Sequence, residues 1–342
     1  MKKEIIIDYY GLGNAVVVRE EGEIIDCFID PPKNVSFYPP NTFVAARVDR
    51  KVPNIGGYFV ILPNGNQGFL KSKQKYNQGM TVFLMSQVVF EPSKPQTFTD
   101  ILKSVSKYFV IKIGKKGFSF SKKIPQNFDW SRNTALLEKI IENFDDIFIV
   151  CRSSVSKIPM SIFEEELKKA VKHLLAIKRA IGKRQIYFDG LAKKVSMEKY
   201  RADNYMVTEE EGIFDRLGIW DQLEKIKEGN IQLKNDAHLI FEQTSAFISI
   251  DVNSGNNFKA KKQEINLAAC NEIIRIIRAF GFGGKILIDF LPCSQELRNE
   301  IYRKILLSFS NDPTNHKIWG WTKSGIFELE RKRDKIPFKL LF

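Results

Sequence analysis

The segment SAFISIDVNSGNNFKAKK, residues 245–262, carries an apolar, β-branched run into Asp251-Val252-Asn253-Ser254-Gly255 and then into lysines. Extended chain puts every second side chain on one face. Asp251 and Asn253 therefore emerge side by side, an acid that can hold a cation and a carboxamide that can direct a water. Asp, Asn, Ser and Gly are equally the residues of a simple turn. A second acid bears on the choice. A stretch of helical period from about 263 to 280 has Ala269, Ile273, Ile276, Ile277 and Phe280 at core spacing, and GFGG closes it. The buried run KILIDFL follows and carries Asp289 near its end. A strand–helix–strand unit makes its two strands parallel, so Asp251 and Asp289 are expected on one rim of a sheet. Two carboxylates on an apolar edge repel one another. Mg²⁺ relieves that repulsion: it takes one or two carboxylates, keeps several waters and completes its shell with phosphate oxygens.

The charge balance indicates what such an ion would act on. Lys and Arg number 53 against 40 Asp and Glu, a net charge of +13, which points to a polyanionic partner with nucleic acid foremost. An acidic membrane surface would need a basic amphipathic helix with a Trp/Phe face, and the sequence offers none. Plain solvated charge is the bland reading. On the residues alone, a metal-dependent nuclease and an ordinary turn both stay open. The 342 residues, 44% of them hydrophobic, suffice for two or three units with cores of their own. No apolar run reaches the ~18–20 residues of a membrane span, so no membrane partner is expected. The start, MKKEIIIDYYGLGNAVVV, enters strand-like alternation without the apolar stretch of a signal peptide, which implies a cytoplasmic protein. Cys27, Cys151, Cys270 and Cys293 are widely spaced, as reduced thiols would be, and build no zinc-binding cysteine cluster. His173, His238 and His316 are too few for a histidine cage.

Several elements must position these groups. EIIIDYY, NAVVVRE and EIIDCFID read as three strands between 4 and 30, the last two joined by Glu21-Gly22. The GLGN near the start lacks the third glycine and the helix of a dinucleotide fingerprint. The proline-rich PPKNVSFYPPN reads as a linker. The stretch from Thr42 to Pro92 holds four or five short strands punctuated by Gly-Gly, Asn-Gly and Gln-Gly, the pattern of a small barrel of OB-fold size. Phe59 and Phe69 lie at strand positions near Lys71 and Lys73. They suit a platform on which bases stack, or the barrel core, and the residues alone favour the core. From Lys103 to Lys123, lysines including Lys122 interleave with aromatic and β-branched residues, which predicts a two-stranded element with a basic face. DDIFIVCRSSVSKIP sends a buried strand into Arg152-Ser153-Ser154. A guanidinium with hydroxyls can grip a phosphate, and a salt-bridged structural arginine is the alternative. A helix is expected from Ser161, capped by a Ser161/Glu164 box, to near Gly182, with Phe163, Leu167, Ala170, Val171, Leu174 and Ile177 on one face. NIQL, HLIFEQT and AFISIDVN form a meander.

LIFEQTSAFISIDVNSG, followed after one helix by GFGGKILIDF, resembles the catalytic core of the ribonuclease E/G family of bacterial endoribonucleases, and the resemblance extends along nearly the whole chain. GGYFVILPNGNQGFL resembles that family's S1-type barrel, and IVCRSSVSK sits where the family senses an RNA 5′ end. The fold implied is mixed α+β. An S1-type OB barrel (36–100) is inserted in an RNase H-like portion (1–35 and 192–228), with a 5′-sensor domain (101–191) and a DNase I-like α/β catalytic domain (229–342). By position the resemblance makes Asp251 and Asp289 the Mg²⁺-binding aspartates and Asn253 the residue that orients attack. Lys323, in WTKSGIFELERKR, stands for a catalytic-domain arginine, keeping the charge without the planar fork. Phe59, Phe69, Lys94 and Lys122 become RNA contacts. Arg152 and Ser153 match a pair that grips a 5′-monophosphate, with Val110 as the pocket wall.

The sequence also departs from the family pattern. Thr244-Ser245-Ala246 replaces Thr-Glu-Ala, the segment between Asn253 and the helix lacks paired glutamates, and Ser106 replaces a sensor glycine. The residues stop at Phe342 before a CPxC zinc motif. The expectation is therefore a monomer or weak dimer without a zinc link, with Ile336, Phe338, Leu340, Leu341 and Phe342 buried against the chain's own sheet. The activity implied is Mg²⁺-dependent hydrolysis of single-stranded RNA in RNA processing or decay. A catalytically weak RNA-binding protein of the same fold is the alternative.

Overall fold

The computed structural model describes residues 2–335 other than 12, 32–36, 88–93, 123, 125–127, 189–191, 201–204, 234–235, 245, 256–260, 311, 313 and 334. It is a mixed α+β structure in two compact units, one built from residues 1–35 and 191–342, the other from 36–190. The apolar tail from Ile336 to Phe342 and its expected burial lie outside the described residues.

The first unit opens with β1 (Lys3–Tyr10), β2 (Gly13–Glu20) and β3 (Glu23–Ile29), an antiparallel meander turning at Glu21-Gly22 as expected. The chain then builds the second unit. Here β4 (Thr42–Val52), β5 (Gly57–Ile61), β6 (Gln67–Lys71), β7 (Thr81–Ser86) and β8 (Gln96–Thr99) close into a five-strand barrel, because β7 pairs with β4 as well as β8. Val44, Val48, Val60, Leu70, Leu84 and Phe98 are among the side chains that fill it. Small Gly68 lets the Phe98 ring in, since a Cβ there would lie 2.9 Å from it.

The basic stretch after the barrel forms three strands rather than the expected two: β9 (Lys103–Val105), β10 (Phe109–Ile113) and β11 (Gly117–Phe120). The third does not return onto β10. It crosses to pair in parallel with β12 (Ile147–Cys151) after helix α1 (Ser131–Ile141), giving the order β11-β12-β10-β9. Helix α2 (Met160–Gly182) buries Phe163, Leu167, Val171 and Leu174 against this sheet and Ile177 against Phe43 and Met85 of the barrel. Its expected capping box is absent. The N-cap is Pro159, Ser161 lies inside the first turn, and Glu164 pairs with Lys168 along the helix. Proline fixes φ near the value helix entry needs, so the turn begins one residue earlier without a side-chain cap. The short β13 (Tyr187–Phe188) adds to β4.

Returning to the first unit, α3 (Ala192–Tyr200) packs on the first sheet, and β14 (Met206–Glu209) joins its β1 edge in parallel. Helices α4 (Ile213–Arg216) and α5 (Ile219–Lys227) lead into β15 (Asn230–Gln232), β16 (His238–Gln243) and β17 (Phe247–Asn253), the expected meander. Then come α6 (Lys262–Ala279), β18 (Gly284–Asp289), α7 (Gln295–Phe309), β19 (His316–Trp321) and β20 (Phe327–Arg331), completing a six-strand sheet in the order β15-β16-β17-β18-β20-β19. One face is apolar and covered: Ile248, Ile250, Val252, Ile286, Ile288 and Leu329 share a core with Ile273 and Ile277 of α6 and Ile301 and Ile305 of α7. Each such side chain taken out of water contributes about 1.5–3 kcal/mol, and that burial fixes which face every neighbouring residue must take. Among the described residues, no helix is long and apolar enough to cross a membrane.

Candidate active site

The alternation along β17 and β18 decides where the acids go. With Ile250 and Val252, and Ile286 and Ile288, locked inward, Asp251 and Asp289 are forced onto the opposite, solvent-facing side. The two strands are parallel, and Asp251 is the ladder partner of Asp289. Parallel neighbours lie about 4.8 Å apart, so the carboxylates stand close together at the carboxyl ends of both strands.

Asn253 is next on the same face. Its Oδ1 accepts the Gly255 N–H at 2.9 Å, and Gly255 has φ +59°. A Cβ at Gly255 would fall 2.1 Å from the Asp236 carbonyl oxygen, so only glycine fits. The motif does form a turn, and the turn holds the Asn253 carboxamide at the strand end.

Partial desolvation, then the negative charge of Asp289, raise the Asp251 carboxyl above its usual range, and His238 opposes them. His238 was not singled out from the sequence. It stands opposite Asn253 in the β16–β17 ladder, as Ile240 stands opposite Asp251, and counting the meander's register back from Asn253 would have found it.

Lys323 is exposed in the turn between β19 and β20. That turn is closed by Gly325 N–H to the Thr322 carbonyl at 3.1 Å and by Ile326 N–H to Thr322 Oγ1 at 3.0 Å. Ile288 pairs with Phe327, which brings the turn to the same end of the sheet as Asp289. Asp251, Asn253 and Asp289 are thus brought together, and Lys323 shares their rim.

A divalent ion that keeps most of its water fits this donor set. Two open carboxylates supply charge, and the exposed face leaves room for water and phosphate oxygens. Among the described residues no group of three or more acids, histidines or cysteines forms a closed cage. A polar pocket of about 910 Å³ elsewhere in this unit, lined by Glu23, Lys225, Glu272 and Arg275, includes His238 and neither aspartate. The aspartates lie instead on an open sheet face, which admits a polymer.

In the other unit, Phe59 and Phe69 are ladder partners on β5 and β6. The expectation that they are core is corrected. Tyr58, Val60 and Leu70 take the inward positions of these strands, leaving both phenylalanines half-buried on the outside. Their rings meet edge to face at 6.0 Å between centroids, and the Arg50 guanidinium lies 5.1 Å from the Phe59 ring. A Cβ at Gly57 would overlap the Phe69 ring at 2.5 Å, so that glycine makes room for it. Lys94 is exposed just before β8, which pairs with the Phe69 strand.

Arg152 follows β12 directly. Its Nη1 donates to the Ser106 carbonyl at 2.7 Å, a main-chain partner rather than the carboxylate of the alternative reading. Ser106 closes the β9–β10 turn, its Oγ accepting the Phe109 N–H at 3.1 Å. Ser153 begins a short 3₁₀ turn, and the Ser154 hydroxyl donates to the Lys107 carbonyl at 2.7 Å. Val110 is half-buried between Val105 and Val150 in register, and Lys122 is exposed just beyond β11.

Residues 189–334 match the ribonuclease E/G family. The chain is 26% identical to a chloroplastic ribonuclease E/G-like protein of Arabidopsis thaliana over 301 residues, 73% of this chain and 30% of that protein. It is 30% identical to ribonuclease G of Haemophilus influenzae and 28% identical to that of Escherichia coli K12. Each of those matches spans 129 residues, 36% of this chain and 26% of the relative. The chain thus spans less than a third of the length of these relatives.

Proposed function

From a chain that belongs over residues 189–334 to the ribonuclease E/G family, we propose a Mg²⁺-dependent endoribonuclease that hydrolyses phosphodiester bonds in single-stranded RNA. The observation that carries this reading is the Asp251–Asp289 ladder pair on an open sheet face. Asp251 and Asp289 would hold the ion, which when bound supplies charge neutralisation at the scissile phosphate and a water of lowered pKa. Asn253 has its carboxamide oxygen engaged by Gly255, so its Nδ2 donors are the end available to orient a water or a phosphate oxygen. Lys323, at the same rim, offers a positive charge to a phosphate flanking the cleaved bond.

In the other unit, the five-strand barrel serves as an S1-type OB module. Phe59 and Phe69 stack on bases, and Lys94 meets the backbone. The β9–β12 sheet serves as a 5′-end sensor in which Arg152 and Ser153 hold a terminal phosphate beside Val110, with Lys122 on the approach. The six-strand sheet is the DNase I-like catalytic portion, and β1–β3 with β14 and α3 the RNase H-like portion. Cytoplasmic RNA processing or decay is the setting this reading implies. Retention of Asp251, Asn253 and Asp289 in one place favours turnover over a purely RNA-binding role. The test is cleavage of a fluorescent single-stranded RNA with Mg²⁺ and with chelator. Mg²⁺-dependent cutting supports the reading, and binding without cutting under both conditions refutes it.

A further inference from the structure

Strand β19, at the edge of the sheet among the described residues, carries Trp319, which is 53% exposed although tryptophan is highly buried on average. It sits at an irregularity. Ile318 pairs with Leu329 and Gly320 with Glu328, so Trp319 is the extra residue of a β-bulge, a device that re-aims a side chain beside a site. Gly320 has φ +88°, and a Cβ there would press on the Tyr302 ring at 3.3 Å, so the bulge is built on glycine. Ile318 is packed into the helix-covered core. Lys317, its neighbour, faces the other way. It belongs to the row Lys317–Glu330–Lys285 that crosses three strands on the solvent-facing side. The Lys317 ammonium lies 3.4 Å from the Trp319 ring centroid, which places the indole on that side too. This is the face that carries Asp251 and Asp289.

We propose that Trp319, backed by Lys317, is a stacking subsite for a base of the single-stranded RNA whose backbone reaches the aspartate pair. The inference rests on the functional reading above and deepens it. Two strand spacings across and two to three residues along the sheet put Trp319 about 12 Å from Asp289, a gap a few nucleotides of extended strand cover. With the ammonium on one ring face and half of the residue exposed, the opposite face is where a base would stack, and the lysine adds charge for the adjoining phosphate. Single-stranded RNA is the occupant because an aromatic–cation pair beside a carboxylate metal site, in a chain of net charge +13, matches bases joined by phosphates. A second copy pairing along the β19 edge is the competing outcome.

The experiment uses the full chain and a fluorescent oligouridylate with a 5′-hydroxyl, titrated by anisotropy in chelator, with cleavage followed in Mg²⁺. Trp319→Ala weakens binding about 5- to 150-fold, the loss expected of one stacked base, while Trp319→Phe keeps most of it. Lys317→Ala lowers the slope of log affinity against log salt by about 1. If Trp319→Ala does not fold by circular dichroism, Trp319→Phe and Lys317→Glu carry the test, the first near wild type and the second weakened. A wild type that binds and cuts RNA while Trp319→Ala, or Lys317→Glu, matches it overturns this inference alone. A wild type that neither binds nor cuts overturns the functional reading with it. A wild-type dimer that Trp319→Ala dissolves without changing RNA affinity also overturns it, in favour of a second copy.

Discussion

Replacing Asp289 by Asn separates charge repulsion from the proposed metal binding at the ladder pair. Directly opposed residues of neighbouring strands lie about 4.8 Å apart. Two unit charges at ~5 Å repel by roughly 0.8 kcal/mol in water and roughly 3 kcal/mol at an effective dielectric constant near 20. Both carboxylates are exposed, so the screened end governs, and the amide relieves about 1 kcal/mol. The direction follows from Asp251, whose carboxyl is raised by desolvation and by Asp289. The folded chain therefore binds a proton more readily than the unfolded one. The pair destabilises the fold at neutral pH, and that cost disappears as the pH falls through the raised folded value. In EDTA at pH 7, Asp289→Asn is expected to melt at or slightly above the wild type. Mg²⁺ reverses the order. An ion held only by the folded chain stabilises it by about 2.7 kcal/mol at a hundredfold excess over Kd, and only the wild type gains this in full. Its apparent Mg²⁺ affinity falls as the pH drops and Asp251 takes up a proton. Thermal melts from pH 8 down through the acid range, with EDTA or Mg²⁺, read all three effects. An equal Mg²⁺ gain in both proteins, or a variant that melts far below the wild type in EDTA, refutes the reasoning.

The barrel platform gives a second expectation: Phe59→Ala with Phe69→Ala weakens single-strand binding by roughly 2–6 kcal/mol if both rings stack. Because both rings lie outside the barrel core, the circular dichroism melt should hardly move, and a binding loss that tracks unfolding counts against stacking. If Arg152 holds a 5′ phosphate, RNA with a 5′-monophosphate is cut faster than its 5′-hydroxyl counterpart. Arg152→Ala then levels the two rates without lowering the slower one, and equal rates in the wild type dispose of the idea. Arg331 at the end of β20 is buried with Asp312, its Nε 2.7 Å from Oδ2, and also donates to the Phe282 carbonyl at 3.0 Å. Arg331→Met strands the Asp312 charge and should cost roughly 3–5 kcal/mol in urea melts. Burial alone would raise the Asp312 carboxyl, and the bonded guanidinium outweighs it and holds it below the usual range. Its contribution is present above the unfolded carboxylate value near ~3.9 and lost as the pH falls through the lower folded one. A wild-type-like urea midpoint for Arg331→Met at pH 7 contradicts this account.

What was legible in the sequence was what local pattern alone determines. The alternation of Ile248, Ile250 and Val252, the helical period of α6 and the βαβ rule together placed Asp251 and Asp289 on one edge, and the structure makes them ladder partners. The meander and the N-terminal hairpins were equally readable, since short turns leave little choice of partner. What escaped depends on non-local pairing. The crossing of β11 to β12 needs α1 between them, and Lys103 to Lys123 carries no sign of that partner. Ser161 and Glu164 have the spacing of a capping box, yet Pro159 starts the helix earlier. Phe59 and Phe69 alternate out of phase with Tyr58, Val60 and Leu70, a parity the strand pattern held once the inward set was known. Their place on the barrel's outside follows from closure of five strands, which no short window contains.

The most direct test of the central assignment compares cleavage and binding in the same protein. Asp251→Asn and Asp289→Asn are each assayed on fluorescent single-stranded RNA in Mg²⁺, beside an anisotropy titration with that RNA. Cleavage is expected to disappear in both while RNA affinity stays equal to the wild type or rises, because on the proposed reading each change removes a charge that would hold the ion and a repulsion toward phosphate together. Undiminished cleavage by either variant would contradict the carboxylate pair as the site of chemistry.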